Sequence, residues 1–321
     1  INKYLKFYSK TKNNFFFKNN NLLVKYFGKK INQHYTKYYL KKNKPDIVHF
    51  SYHYHKNYLK NYSVPKKIIT IYDLNHEIFF ERFYNKKIVN YKNEYLDSVD
   101  HIICISQNTK KDLLNFYKID EKKISVIHLG IDKNQNMQNI NKTLLKKPYL
   151  LYVGMRNGYK NFKKFIEAYS KSDKLKKDFN VICFGGNHFS NEELNYFKNL
   201  NIENEKILYT EGNDDQLNYL YNKALCFVFP SLYEGFGLPL LEAMNMSCPV
   251  ACSNNSSFNE IAGDAAEKFN PEDMDDIKNT IEKVVYNDEL KKQLIFNSKK
   301  NLARFSWKKC GIKTISVYKS L

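Results

Sequence analysis

The chain has 321 residues, 43% of them hydrophobic and 16% aromatic, and a formal net charge of +19. That apolar content excludes a disordered polymer, and the length calls for two domains, each with its own core. No apolar run approaches the roughly 18 residues of a membrane span, and the six scattered cysteines form no C-x-x-C pair or metal-like spacing, a pattern that fits reduced thiols in a cytoplasmic compartment.

The chain opens at Ile1 with no secretory signal pattern and reads as a piece lacking its natural N-terminus. A lysine- and aromatic-rich lead (6–21) gives way to a helical pattern that ends before Pro45. Three strands follow, "DIVHF" (46–50), "KIITIY" (67–72) and "HIICIS" (101–106), with a helix predicted around 86–97. "QNTKKDLLNFY" is a helix capped by Ser106 or Asn108, and "KISVIHLGID" (123–132) is a strand and exit. The polar stretch 133–148, closed by Pro148, is a linker. The alternation restarts with strands at 149–153, 180–184, 206–210, 225–229 and 249–252, with helices at 161–170, 191–200, 214–223 and from 273 onward. Short strands alternating with helices call for parallel sheets covered on both faces. In such sheets ligands sit beyond the carboxyl ends of the strands, so the loops after 153, 184, 210 and 229 should converge.

Charge divides unevenly along this plan. Residues 1–145 carry 27 basic and 11 acidic side chains, a net +16, whereas residues 146–321 carry 25 and 22, a net +3. The excess fits either a dispersed lysine bias of composition or a first half that faces an anionic partner.

Two loops carry the candidate chemistry. In "VGMRNGYKNF" (153–162), Gly154 and Gly158 permit tight turns, and Arg156 and Lys160 place two cations at a strand-to-helix junction. Only three arginines stand in the whole chain, and the planar fork of Arg156 suits phosphate oxygens. In "SLYEGFGLPLLEAM" (231–244), Gly235 and Gly237 let the backbone approach an anion, and the first N–H groups of a helix starting at Leu238 face the same crevice. Glu242, one turn in, is placed to accept hydrogen bonds from a cis-diol such as a ribose, and Glu234 lies beside the position of a transferred group. Neighbours such as Phe236, Leu240, Leu241 and Met244 are too apolar for a solvated helix face. His49, His53 and His55 are polar loop residues or line an acceptor pocket; no nearby carboxylate completes a metal site.

The stretches "YEGFGLPLLEAMNMSCPVACSNNSSFNEIAGDAAEKFNPED", "YLLYVGMRNGYKNFKKFIEAY" and "VDHIICISQNTKKDLLNFYKIDEKKISVIHLGID" together resemble retaining glycosyltransferase family 4, the first with its E-x7-E element. The resemblance runs from about Asp46 to the C-terminus. It implies an α/β GT-B fold of two doubly wound, Rossmann-like domains whose parallel sheets face a cleft. An acceptor domain would span 1–145, a donor domain 146–302, and a helix at 303–321 would cross back to the first.

The resemblance also implies a reaction: transfer of a hexose, mannose favoured, from GDP-mannose or a UDP-hexose, with retention and no catalytic metal or other cofactor. Arg156 and Lys160 would clamp the diphosphate, Glu242 the ribose and Glu234 the hexose hydroxyls. Backbone at Gly154, Gly235, Phe236, Gly237 and Leu238 would assist. The acceptor side would fall on Tyr72, Asp73 and His76, with Tyr72 standing where the family often has His. The acceptor would be a glycan or a lipid-linked glycan in bacterial-type polysaccharide assembly, reached from the cytoplasm by peripheral contact with an anionic membrane. A nucleotide-sugar epimerase and a basic nucleic-acid-binding module are the competing classes; the chain lacks the regular basic-aromatic spacing of the latter.

Overall fold

The computed structural model describes residues 22–51, 64–79, 86–133, 136–138 and 147–321. His53, His55, the lead at 6–21 and most of the linker at 133–148 lie outside the described residues. The chain divides into two compact units, residues 1–69 with 90–101, and residues 70–89 with 102–321.

The elements up to residue 126 are α1 (Leu22–Asn43), β1 (Ile47–Phe50), β2 (Lys66–Ile71), α2 (Asn75–Ile78), α3 (Lys86–Leu96), β3 (His101–Cys104), α4 (Gln107–Phe116) and β4 (Ile124–Val126). Their strands pair in parallel, β1 with β2 and β3 with β4. In the first unit, β1 runs parallel to β2 with Ile47 opposite Lys66, and α1 stops just before Lys44, whose φ is +41°, and Pro45. His49 stands in β1 opposite Ile68, and burial pushes its pKa down to about 4, so it is a strand residue and not part of a polar loop. In the second unit, β3 runs parallel to β4 with Ile102 opposite Ile124. The strand expected over 123–132 is confined to three residues, because the chain beyond Val126 leaves the sheet.

The rest of the second unit contains β5 (Tyr149–Val153), α5 (Phe162–Ser170), α6 (Asp173–Asp178), β6 (Asn180–Phe184), α7 (Asn191–Asn199), β7 (Ile207–Thr210) and α8 (Asp214–Lys223). It continues with β8 (Cys226–Phe229), α9 (Leu238–Asn245), β9 (Val250–Ser253), α10 (Phe258–Ala262), β10 (Glu267–Phe269), α11 (Met274–Tyr286), α12 (Asp288–Leu302) and α13 (Trp307–Lys319). The six strands pair in parallel in the order β10-β9-β8-β5-β6-β7. Strand β10 was not legible in sequence, since its three residues include Glu267 and Lys268 and give no apolar run.

Alternation along the strands sorts their side chains onto two cores. Tyr149, Leu151, Ile182, Phe227, Phe229, Val250 and Cys252 face one, with Leu220 and Tyr221 of α8 and Leu240, Leu241 and Met244 of α9. Leu150, Tyr152, Val181, Cys183, Cys226, Val228 and Ala251 face the other, with Phe162, Phe165 and Ile166 of α5, Phe197 of α7 and Ile277 and Ile281 of α11. Local chemistry starts these helices where they start. Ser190 with Glu193 and Asn213 with Gln216 form capping boxes on α7 and α8, and Asp273 caps α11. All six cysteines are free thiols, five of them buried. Among the described residues no helix is long and apolar enough to cross a membrane.

Candidate functional site

The strand order places the site. From β5 the chain winds outward through β6 to β7 with α5 and α7 on one face; it then returns to β8, beside β5, and winds the other way through β9 to β10 with α9 on the opposite face. The neighbours β5 and β8 are therefore the switch point, where the loops beyond them part and leave a crevice. Lys160, at the end of the loop after β5, meets Glu234, in the loop after β8: Nζ to Oε1 is 2.6 Å, with the side chains 20% and 14% exposed. Leu232 N–H donates to the Tyr159 carbonyl at 2.7 Å, joining the two loops by backbone as well. The Lys160 ammonium also lies 5.2 Å from the Tyr159 ring centroid and 5.5 Å from that of Phe229. Gly154 (φ +125°) and Gly158 (φ +57°) hold turns that an L side chain rarely adopts.

The second loop is held by hydroxyls on its carbonyls. Ser256 Oγ and Ser257 Oγ donate to the Glu234 carbonyl at 2.6 and 2.8 Å, and Ser257 Oγ also lies 3.1 Å from the Phe236 carbonyl. The Gly235 carbonyl accepts from Ser106 Oγ at 2.7 Å and Thr109 Oγ1 at 3.2 Å. Gly235 itself is needed because a Cβ there would stand 1.8 Å from the Tyr72 carbonyl oxygen and 3.2 Å from Asp73 Cβ. Sequence reading assigns this glycine to the approach of an anion; in the structure the space is taken by the chain's own backbone. Gly237, left-handed at φ +94°, turns the chain into α9. Among the described residues, no acceptor is found for the N–H of Phe236 or Gly237.

Of the residues expected here, Lys160, Glu234, Gly235, Phe236, Gly237 and Leu238 come together, and Tyr72 and Asp73 pass directly behind Gly235. The Tyr72 side chain is 36% exposed, and Asp73 Oδ1 accepts from Asn75 N–H at 3.1 Å. His76 lies in the short helix α2. Glu242 stands one turn into α9 with the Tyr221 hydroxyl 3.4 Å away, and burial pushes its pKa up.

Arg156 is placed elsewhere. Its Nε donates to Glu193 Oε1 at 2.7 Å, Nη1 to the Gly185 carbonyl at 3.3 Å, and Nη2 to the carbonyls of Asn187 at 2.6 Å and His188 at 3.3 Å. The guanidinium lies 4.6 Å from the Phe189 ring centroid, and the side chain is 6% exposed. Burial alone would raise the Glu193 pKa, but hydrogen bonds from Arg156 and Ser190 outweigh it and hold the carboxyl below its ordinary range. Arg156 thus fastens the loop after β5 to the loop after β6, and the structure does not bring it together with Lys160 in the expected two-cation clamp. A cavity of about 580 Å³ opens beside Arg156 and Asn157, lined also by Asn187, Glu192 and Tyr196; neither Lys160 nor Glu234 lines it.

Glu260 has a role that sequence reading missed. Its carboxylate accepts from Gln107 N–H at 2.9 Å, at the start of α4, and lies 2.6 Å from His128 Nε2. Burial works to raise its pKa, and the His128 and backbone hydrogen bonds prevail and lower it. His128 in turn packs against Phe236 and Phe305, with centroids 5.9 and 5.6 Å apart. A carboxylate far along the chain from a helix N-terminus gives no local signal of this kind.

Residues 133–301, more than half of the chain, match the model of the family described as Glycosyl transferases group 1. The chain belongs to that family. Residues 12–135 match the model described as Glycosyltransferase Family 4. The glycosyltransferase is similar to O-antigen chain mannosyltransferase B of Escherichia coli, 28% identical over 286 residues, 84% of this chain and 74% of that protein. It is similar also to the serotype-specific mannosyltransferase WbdA of Escherichia coli, 28% identical over 241 residues, which cover 71% of this chain but only 29% of WbdA. Among solved structures, sucrose-phosphate synthase from Thermosynechococcus elongatus superposes with a TM-score of 0.75 at 17% identity, covering 90% of this chain and 76% of that one. That likeness bears on fold alone, and the fold is GT-B.

Proposed function

We propose that this glycosyltransferase moves a hexose, mannose favoured, from a nucleotide diphosphate sugar to a glycan or lipid-linked acceptor in polysaccharide assembly, with retention at the anomeric carbon. The observation that carries the proposal is the Lys160–Glu234 pair at the switch point, beside the Phe236 and Gly237 N–H groups that precede α9. A diphosphate carries more negative charge than one carboxylate and competes for the Lys160 ammonium. Once Lys160 turns to it, Glu234 is released to accept hydrogen bonds from the hydroxyls of the transferred sugar. Glu242 takes the ribose.

In the reaction the bond between the anomeric carbon and the diphosphate oxygen breaks, and its electron pair stays on that oxygen. The acceptor oxygen bonds to the anomeric carbon on the face the diphosphate leaves, and the acceptor's proton passes to the departing phosphate. Stabilising the negative charge that develops on that phosphate is the main catalytic term. Lys160 and the backbone donors supply it without a metal ion. The mannosyltransferase relatives support mannose as the sugar, and the net charge of +16 on residues 1–145 supports an acceptor presented at an anionic membrane surface. Titrating the full-length protein with GDP-mannose, UDP-glucose and UDP-N-acetylglucosamine tests the reading. Tight binding and turnover of GDP-mannose are expected, and failure to bind any nucleotide sugar would refute it.

A further inference from the structure

Two buried hydroxyls on α4 act on the Gly-Phe-Gly loop although they lie 129 and 126 residues from it in sequence. Ser106 and Thr109 are both 0% exposed. Ser106 Oγ caps α4 by accepting from Thr109 N–H at 3.0 Å, and capping leaves its hydroxyl hydrogen to be placed. Ser106 Oγ lies 2.7 Å from the Gly235 carbonyl and 3.0 Å from Thr109 Oγ1, and Thr109 Oγ1 lies 3.2 Å from the same carbonyl, so the hydroxyl pair always keeps at least one hydrogen on that oxygen. A helix cap alone requires neither of these bonds.

The consequence follows from the planar, trans peptide unit. The Gly235 carbonyl and the Phe236 N–H belong to one plane and point in opposite directions, so fixing the carbonyl fixes the N–H. This peptide joins Gly235 to Phe236, and with no Cβ on the Gly235 side its ψ is freer to rotate than that of any other residue type. We propose, resting on the donor-site reading above, that Ser106 and Thr109 are positioning residues for transfer: by pinning the Gly235 carbonyl they hold the Phe236 N–H toward the departing diphosphate. The device is electrostatic preorganisation by groups that never touch the substrate.

The test uses the full-length protein with Thr109→Val, which keeps side-chain shape and the Ser106 cap but removes one donor, with Thr109→Ser as the restoring variant and Ser106→Ala in parallel. For Thr109→Val, kcat should fall roughly 5- to 10-fold, the scale of one lost hydrogen bond, while KM for the donor stays within about twofold. Affinity for the free nucleoside diphosphate should weaken by a similar factor. Affinity for the monophosphate, which lacks the departing phosphate, should not change. Thr109→Ser should restore both quantities. Wild-type kcat and diphosphate affinity in Thr109→Val and Ser106→Ala would overturn the proposal. So would loss of fold in both, which would make the hydroxyls purely structural. Failure of the unmodified protein to bind any nucleoside diphosphate would instead strike the donor-site reading, and the present inference with it.

Discussion

Gly235→Ala is the substitution whose outcome the structure fixes most closely. The added Cβ would lie 1.8 Å from the Tyr72 carbonyl oxygen, 2.9 Å from its carbonyl carbon and 3.2 Å from Asp73 Cβ. Ordinary carbon–oxygen contact needs roughly 3.5 Å, so the loop or residues 72–73 must withdraw by more than 1 Å. Neither side moves without loss. The loop is held by Ser106 and Thr109 at Gly235 and by Ser256 and Ser257 at Glu234, and Leu74 N–H lies 3.4 Å from the Tyr233 hydroxyl.

Overpacking of this kind costs about 1–3 kcal/mol, which for a domain of 150–250 residues lowers Tm by roughly 2–12 °C. A displacement of about 1 Å beside the reacting groups costs about 100-fold in rate. Thermal melting and donor turnover should therefore both fall, turnover by the larger factor. Gly311→Ala is the control. It lies inside α13, where a Cβ meets nothing within 4 Å, and should be neutral or slightly stabilising. Wild-type turnover in Gly235→Ala would refute the assignment of this loop to the site.

Lys160→Ala should reduce kcat by about 100- to 1000-fold, the scale of one lost charge stabiliser, and lower Tm as well, because Glu234, 14% exposed, loses its partner. Arg156→Ala should instead lower stability by about 1–3 kcal/mol by stranding Glu193 and three loop carbonyls, as denaturant titration will show; an unchanged midpoint would contradict the fastening role. Glu242→Gln should weaken nucleotide affinity yet stabilise the fold near neutral pH. Burial raises the Glu242 pKa, so its charged form costs stability as pH rises through that pKa, and the gain should vanish below the ordinary carboxylate range. Glu260→Gln should do the opposite: its pKa is lowered, so the lost stability is greatest at neutral pH and fades in acid, as urea melts at pH 7 and pH 4 will compare. Activity should survive EDTA, and a complete loss restored by Mn²⁺ would contradict the metal-free mechanism. The protein should co-sediment with anionic vesicles at low salt and release at high salt; equal binding to neutral vesicles would remove the membrane from the proposal.

Much of the sheet in the second unit follows from the sequence because its strands are short apolar runs cut off by Gly, Pro and capping residues. "YLLYV" and "NVICF" are strands as read, "LCFVF" loses only Leu225, and Ser106 caps α4. The Glu234–Glu242 element is legible because an apolar helix start follows a glycine turn, while Lys160, Ser256 and Ser257 fix where Glu234 stands.

Choices of partner are not local. Arg156 reads as a phosphate ligand because its side chain is long and forked, yet that same reach brings it to Glu193 and to the carbonyls between Gly185 and His188, acceptors that only the packing of β6 beside β5 supplies. Gly235 reads as room for a ligand, and the tertiary structure fills that room with the Tyr72 carbonyl. Ser106 and Thr109 read as a helix cap, and only the fold carries their hydroxyls to a carbonyl on a distant loop. The sequence by itself determined most of the strands and helices and where glycine turns follow the strands, since backbone preference and apolar period act within a few residues. The tertiary structure decided which charge stays available and which donor is held still, since hydrogen bonds reach only about 3 Å and their ends lie far apart along the chain.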